Sequence, residues 1–299
     1  MEMDMKPPYV VGYWLNEKKC QKFGVEELEA ACRRRNINLV KLDMSSPLEE
    51  QGPFHMILHK VTALYAQALG DDPKALSAVR RLENYSSRHP EVHIVDPLPS
   101  VRKLLLRQET YSFLQDVLKD DSKVFTPAFV ELPTSNWETN KKLLQESNVT
   151  FPVVCKPFTA GGGKEAHEMA VVFNENGISD CLVPCVAQSF INHGAILYKL
   201  FVLGPSWCVI VRPSLKNFYA GEQETVHFNS HTVSKADSQS PLNELDPSDK
   251  TDLPKADPAV FNRIVTLLRE TLNMDLLGID VVIDSNTGKY GIIDVNAFP

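Results

Sequence analysis

Gly278-Ile279-Asp280-Val281-Val282-Ile283-Asp284-Ser285-Asn286-Thr287-Gly288-Lys289-Tyr290-Gly291-Ile292-Ile293-Asp294-Val295-Asn296-Ala297-Phe298-Pro299 is the stretch whose reading decides the fold. Two runs rich in Ile and Val flank a polar turn, Ser285 to Lys289, the pattern of a β-hairpin. With the turn centred on Thr287, Asp280 lies opposite Asp294. Alternation then places Asp280, Val282, Ile292, Asp294 and Asn296 on one face. Ile279, Val281, Ile283, Ile293 and Val295 fall on the other, wholly apolar face. Opposed residues have Cβ atoms only ~4.5–5.5 Å apart, and like charges there repel. Two carboxylates and a carboxamide in so apolar a hairpin call for a cation. A hard, oxygen-liganded ion such as Mg²⁺ suits them, with phosphate oxygens completing its shell. The plain alternative is a pair of acids on a solvated sheet face.

Composition bounds what surrounds the hairpin. The chain has 299 residues, 43% of them hydrophobic and 23% charged. That is the range of a globular protein with room for two or three compact units. No apolar run reaches the length of a membrane span, and the opening Met1-Glu2-Met3-Asp4-Met5-Lys6 lacks a signal-peptide pattern. The six cysteines form no C-x-x-C pair and most sit in apolar patterns, so reduced, buried thiols are expected. These features predict a cytoplasmic protein with no membrane association. A net charge of −7 argues against non-specific nucleic-acid binding. Positive charge is nevertheless gathered in the first 110 or so residues: Lys18, Lys19 and Lys22; Arg33-Arg34-Arg35; His59-Lys60; Arg102, Lys103 and Arg107. Such clusters are ordinarily solvated faces; an acidic protein that binds a polyanion must collect its cations in this way.

Working back toward the N-terminus, strand and helix patterns alternate. Tyr9 to Leu15 is an apolar run, and a helix from about Val25 has Val25, Leu28 and Cys32 on one stripe. Ile37–Leu42 and His55–Lys60 read as strands, Pro73–Ser87 as a helix and Glu91–Val95 as a strand. That order predicts a small parallel α/β domain. Lys18, Lys19 and Lys60 follow its strands, at the edge where open parallel sheets collect ligands. A helix is expected from Ser100 to about Leu118. Strands at Ala128–Leu132, Phe151–Lys156, Glu168–Phe173, Cys185–Ile191, Ala195–Leu203 and Trp207–Arg212 then imply antiparallel sheet. Residues 236–257 read as a long mobile loop. Asp257-Pro258 caps a helix to about Thr271 with Phe261, Ile264 and Leu268 facing the core.

Two lysines interrupt buried strands: Lys156 ends Phe-Pro-Val-Val-Cys-Lys, and Lys199 sits within Ala-Ile-Leu-Tyr-Lys-Leu-Phe-Val-Leu-Gly. Lysine is rarely fully buried without a partner, and snorkelling is the bland alternative. After the first comes Thr159-Ala160-Gly161-Gly162-Gly163-Lys164, a loop with free backbone donors that can close over phosphates. It is not a Walker A loop, because Glu165 stands where Ser or Thr must follow the lysine. His167-Glu168 has no second His at the H-E-x-x-H spacing, so it is not a zinc helix. Taken alone, His167 reads as structural.

In order, then, come strand-Lys, Gly loop, His-Glu-Met, Gln188, Lys199, Arg212-Pro213-Ser214-Leu215-Lys216, Asp280 and Asp294-x-Asn296. This order resembles the ATP-grasp proteins, and within them the inositol-tetrakisphosphate 1-kinase family, also called inositol 1,3,4-trisphosphate 5/6-kinases. The segments that carry the likeness are VGYWLNEKK, EEQGP…HK, DPLPSVR, FPVVCK, HEMAVVFN, QSFINH, LYK, RPSLKNF, FNSH and GID…IIDVNAFP, from Val11 to Pro299. The resemblance implies an α/β (α+β) architecture. Residues 1–98 would form an inositol-phosphate-binding parallel domain. Residues 99–299 would form the ATP-grasp domain, with a central subdomain at about 121–190 and a C-terminal one at about 191–299. Two antiparallel sheets would sandwich ATP.

The resemblance also implies roles. Lys156, Gln188 and the segment through Lys199 would line the ATP site, with Arg107, Ser214, Ser230 and Ser234 adding contacts. Lys19, His167, Lys199 and Asn296 would hold the inositol phosphate. Asp280 and Asp294 would bind one Mg²⁺, and Asp294 with Asn296 a second. Lys199, His167 and Asp294 would carry the catalysis. The expected reaction is ATP-dependent phosphorylation of inositol 1,3,4-trisphosphate at the 5 or 6 hydroxyl, and of inositol 3,4,5,6-tetrakisphosphate at the 1 hydroxyl. Phosphate exchange between inositol phosphates through bound nucleotide, an isomerase activity, is implied as well. The same residues suit phosphoryl transfer on physical grounds, since it needs charge neutralisation and in-line placement rather than a covalent enzyme intermediate.

Two departures stand out. The family carries a histidine in a V-A-H-G-T context before His-Glu-Met; here Thr159 through Lys164 replaces it, so that contact is either missing or supplied by Lys164. The family also continues past N-A-F-P with a glycine loop and a closing helix, so the domain reads as truncated at Pro299. Two other readings remain open: a carboxylate–amine ligase of the ATP-grasp type, and a binding protein that holds nucleotide or inositol phosphates without turnover.

Overall fold

The computed structural model describes residues 7–160, 165–249 and 253–298. The chain divides into two compact units, Met1–Arg102 and Lys103–Pro299.

In the first unit, β1 (Tyr9–Trp14) leads through α1 (Glu17–Phe23) and α2 (Val25–Arg33) to β2 (Ile37–Lys41). β3 (Met56–His59), α3 (Thr62–Leu69), α4 (Pro73–Arg88), β4 (His93–Val95) and α5 (Leu98–Arg102) complete it. The four strands form one sheet in the order β2-β1-β3-β4, with every pairing parallel. Turn chemistry sets the helix starts. Asp72 accepts from Lys74 N and Ala75 N with Pro73 at the first helical position, and Asn16 caps α1 by accepting from Lys19 N. α1 begins directly after β1, earlier than the pattern at Val25 suggests, and Gly24 at φ +64° separates it from α2. The expected stripe on α2 is only half-buried.

The second unit holds two five-stranded sheets. It runs α6 (Arg107–Leu118), β5 (Val124–Phe125), β6 (Phe129–Leu132), α7 (Trp137–Glu146), β7 (Val153–Pro157), β8 (Glu168–Val172) and β9 (Cys185–Ser189). Then follow β10 (Ile196–Leu203), β11 (Ser206–Pro213), β12 (Val226–Asn229), α8 (Ser230–Ser234), α9 (Pro258–Leu272), β13 (Leu276–Ile283) and β14 (Tyr290–Ala297). One sheet has the order β12-β8-β7-β9-β6 and is antiparallel throughout. The other has the order β11-β10-β13-β14-β5, where β5 joins parallel to β14. The first sheet is covered on both faces. Leu132, Leu144, Val153, Cys155 and Val172 pack on one side, and Val154, Val171, Phe173, Leu215 and Phe218 on the other.

Asp257 caps α9 by accepting from Ala259 N, and Asn273, at φ 51°, closes it in the left-handed conformation that Asn tolerates. Phe261, Ile264 and Leu268 are buried, as their spacing predicts, and the Phe261 ring meets Tyr198 and Tyr290. Leu268 has no exposed surface. Leu268→Ala will therefore lower stability by about 2–5 kcal/mol, read from the urea midpoint.

Three expectations need correction. The helix expected over Ser100–Leu118 is two helices, because Leu106 is extended and bridges to Thr159 while Ala160 N donates to Leu105 O. Those tertiary hydrogen bonds override a continuous helical pattern. The mobile loop at 236–257 is anchored along its described residues. Asn243 Nδ2 donates to Ser214 O and Val233 O, and Tyr219 OH donates to the buried Asp249 carboxylate at 2.7 Å. In the hairpin, Asp280 does face Asp294, but Val281 pairs with Ile292, so Ile293 is an extra, bulged residue. Beyond the bulge the alternation inverts. Ile292 joins Ile279, Val281 and Val295 on the apolar face, and Ile293 leaves it.

Candidate active site

Strand register alone aligns the charged groups. Lys199 pairs with Asp280, and Asp280 with Asp294, so a row crosses β10, β13 and β14. Two residues along, Phe201, Gly278 and Asn296 form the next row. Lys199 Nζ donates to Asp280 Oδ1 at 2.8 Å, and Asn296 Nδ2 donates to Asp294 Oδ2 at 3.2 Å. Burial pushes the Asp280 carboxyl above its usual range, against the pull of the Lys199 ammonium.

Arg107, at the start of α6, is 2% exposed and braces this row to the other sheet. Its Nη1 donates to Asp294 Oδ1 at 3.2 Å, Nε to Pro157 O at 3.0 Å, and Nη2 to Ala166 O at 3.2 Å. The planar guanidinium fork suits three acceptors spread in this way. Lys156 is equally committed. Its ammonium donates to Gln188 Oε1 at 2.7 Å, Ile293 O at 2.9 Å and Tyr111 OH at 3.0 Å, and it lies over the Tyr111 ring. The Ile293 carbonyl that it reaches, which also accepts from Tyr111 OH, is the one the bulge frees. Gln188 Nε2, also buried, has no partner among the described residues. An unmatched buried donor of this kind is costly unless a ligand takes it.

Burial lowers the Lys156 ammonium to about 8, with Asp294 partly opposing the shift. If a phosphate group takes up that charge, nucleotide binding couples to protonation of Lys156. Affinity is then full below pH 8 and falls about tenfold per pH unit above it, as the ammonium loses its proton. Calorimetric titrations with nucleotide between pH 7 and 9.5 will show this slope, and Lys156→Met will abolish it.

The remaining expected residues lie in three places. Ser214 is buried and its hydroxyl donates to His193 Nε2 at 2.7 Å. His193 Nδ1 must carry the proton, since it faces Ile191 O, and burial holds this imidazole neutral, at about 4. Ser230 Oγ lies 3.3 Å from His167 Nδ1, and the His167 and His231 rings stand 3.7 Å apart, with Ser234 ending α8 nearby in sequence. Lys19 belongs to the first unit, on α1 at the carboxyl edge of β1, where burial and then Lys22 lower its ammonium. The expected phosphate-covering run Gly161–Lys164 lies outside the described residues.

Lys156, Lys199, Arg107, Gln188, Asp280, Asp294 and Asn296 are thus linked by direct hydrogen bonds or adjacent register. Tyr111, His193, His231 and the Ile293 carbonyl were not expected. Only the two histidines carried a sequence signal, His193 as the end of the Q-S-F-I-N-H segment and His231 as the end of F-N-S-H.

Two sheets of this kind, one offering buried lysine and the other paired acids, define an ATP-grasp protein. Solved structures carry the same fold: a D-cycloserine synthetase superposes with a TM-score of 0.62 at 13% identity, covering 97% of this chain and 91% of that one. A RimK-domain ATP-grasp protein of Sphaerobacter thermophilus superposes with a TM-score of 0.55 at 16% identity, covering 97% and 91%. Sequence narrows the class. The inositol 1,3,4-trisphosphate 5/6-kinase ATP-grasp domain matches residues 118–299, and the pre-ATP-grasp domain of the same kinases matches residues 10–101. The chain is 40% identical to an inositol-tetrakisphosphate 1-kinase of Xenopus laevis over 97% of its own length and 74% of that protein's. It is 33% identical to inositol-tetrakisphosphate 1-kinase 1 of Zea mays over 98% and 84%. The chain belongs to the inositol 1,3,4-trisphosphate 5/6-kinase family. Among the described residues, no helix is long and apolar enough to cross a membrane.

Proposed function

We propose that this chain transfers the terminal phosphoryl group of ATP to a hydroxyl of an inositol polyphosphate. The substrates we assign are inositol 1,3,4-trisphosphate and inositol 3,4,5,6-tetrakisphosphate. The observation that carries the reading is the row Lys199–Asp280–Asp294, braced by Arg107 against the sheet that carries Lys156. Three cations and two carboxylates leave one net positive charge for a polyphosphate chain. The donor set Asp280, Asp294 and Asn296 is all oxygen, the chemistry of Mg²⁺. Asp280 with Asp294 would hold one ion, and Asp294 with Asn296 a second. Held there, they would supply positive charge to offset that developing on the transferred group.

The chain's own residues supply the rest. Lys156 and the Gln188 amide donate to nucleotide phosphate or base, with Lys156 exchanging one of its three present partners. Arg107 fixes the Asp294 carboxylate, and Ser214, with its hydroxyl oriented by His193, lines the nucleotide side with Ser230 and Ser234. Lys199 stands next to Asp280 and accompanies the transferred group, while His167 orients the inositol. Lys19, on the first unit's sheet edge, contributes positive charge for a polyanionic substrate. No residue need form a covalent intermediate, because positioning and charge carry this chemistry. We also assign the protein to the cytoplasm, as a monomer.

Incubation with Mg·ATP and each inositol phosphate, followed by ion-exchange chromatography, tests the reading. A more highly phosphorylated product, absent with Asp294→Asn, supports it. ADP release that instead requires a carboxylic acid and an amine would replace it with a ligase.

A further inference from the structure

Three of the six cysteines converge on one point, Cys181 and Cys185 four residues apart and Cys155 from 26 residues earlier. Cys155 lies on β7, Cys185 opens β9, and Cys181 sits in the segment that joins the Glu175–Asp180 turn to β9. Cys155 pairs with Ala187, so Cys185, two residues earlier on β9, is its diagonal neighbour on the same face. The three sulfurs all lie within 4.8 Å of one another, with exposures of only 4% for Cys155, 9% for Cys181 and 2% for Cys185. Lys156 follows Cys155 on the strand and therefore points to the opposite face, toward the acids. This cluster is not part of the site above.

Around them lie apolar side chains, among them Val153, Ala170 and Ile178. Their mutual proximity leaves the three sulfurs close enough to share a single ion. Three sulfurs bound to one ion at the usual Zn–S length of ~2.3 Å are separated by about 3.8–4.0 Å, which the observed spacing accommodates. An all-sulfur donor set selects a soft cation and rejects Mg²⁺. Charge selects among soft cations: three thiolates carry −3, which a divalent ion reduces to −1 and a monovalent one only to −2. Cys181 is the least buried of the three, and its neighbour Leu182 is 82% exposed, so this is the side nearest solvent.

We propose that Cys155, Cys181 and Cys185 form a three-thiolate site for Zn²⁺, with a fourth position open to water beside Cys181. Binding replaces three S–H bonds by three S–Zn bonds and releases the three protons to solvent; no electron is transferred. The ion pins the loop before β9 to the back of the strand that presents Lys156.

Co²⁺ is the probe, added to the reduced, metal-free full chain in excess Mg²⁺ so that the oxygen ligands are occupied. One equivalent is expected to give an intense sulfur-to-cobalt absorption that Zn²⁺ abolishes. Asp294→Asn and Cys208→Ser will keep it in full. Cys181→Ser removes a ligand itself and will weaken Zn²⁺ binding by more than the roughly 10–100-fold that losing an outer-shell partner costs. Absence of the sulfur band in the unaltered chain would show three thiols packed merely as small apolar groups and overturn the site. A band lost with Cys208→Ser, or one unchanged in Cys181→Ser, would overturn it too. Because the spectrum of the unaltered chain decides the first point, the test survives a Cys181 variant that fails to fold.

Discussion

Asp294→Asn will lower turnover about 10²–10³-fold while leaving the protein folded. Asp294 is the one group in the site that both proposed Mg²⁺ ions share, so its charge is needed twice. An amide oxygen keeps the hydrogen bond from Arg107 Nη1 but removes the negative charge on which hard-ion coordination depends. Arg107 retains Pro157 O and Ala166 O, so its buried charge is not stripped of partners. The measurement is steady-state turnover across Mg²⁺ concentrations, beside a thermal melt. Unaltered turnover with a normal melt would remove Asp294 from the metal site. A collapsed melt would instead make its role structural.

Arg107→Ala is expected to cost about 3–5 kcal/mol of stability, the range for breaking a buried ion pair by removing one partner. Three acceptors from three segments lose their donor at once; Asp294, with a side chain 21% exposed, can recover water, while the Ala166 carbonyl is buried. Turnover will fall as well, because the carboxylate loses its orientation. Arg107→Lys distinguishes charge from geometry. Lysine keeps the charge but not the fork, so it restores part of the stability and little of the turnover. Urea denaturation with paired kinetics reads both. If Arg107→Ala melts within about 1 kcal/mol of the parent, the brace is not structural.

The hairpin shows how far sequence carries an argument of this kind. A turn centred on Thr287 set Asp280 against Asp294, and they do pair; but Ile283 pairs with Tyr290 and Val281 with Ile292, so it is the extra residue Ile293 that brings the two acids opposite each other. The bulge was not legible, since Ile292 and Ile293 are chemically identical and only the backbone distinguishes them. Lys156 and Lys199 were legible as anomalies: buried cations inside apolar strands demand partners. Their particular partners were not, because Tyr111 is 45 residues from Lys156 and Asp280 is 81 from Lys199. α1 went unseen because a seven-residue helix with three lysines shows no apolar period, and its signal is the single Asn16 cap. The broken helix before Leu118 fails for the opposite reason, a local pattern overruled by a bridge to Thr159. Of the cysteine cluster, Cys181 and Cys185 stood at a legible C-x3-C spacing, but Cys155 was hidden, because only the pairing of β7 with β9 brings it to them.

The bulged Ile293 has a consequence for how this protein tolerates change. Its contribution to the joint between the sheets is a main-chain oxygen, offered to Tyr111 and Lys156 whatever side chain the residue carries. Alanine scanning would pass over the position as silent. Drift from Ile to another apolar residue would leave the joint whole, while loss of a single codon would straighten the strand and withdraw the acceptor. The joint is thus encoded by chain length rather than by residue identity, and only a backbone ester or a one-residue deletion would expose it.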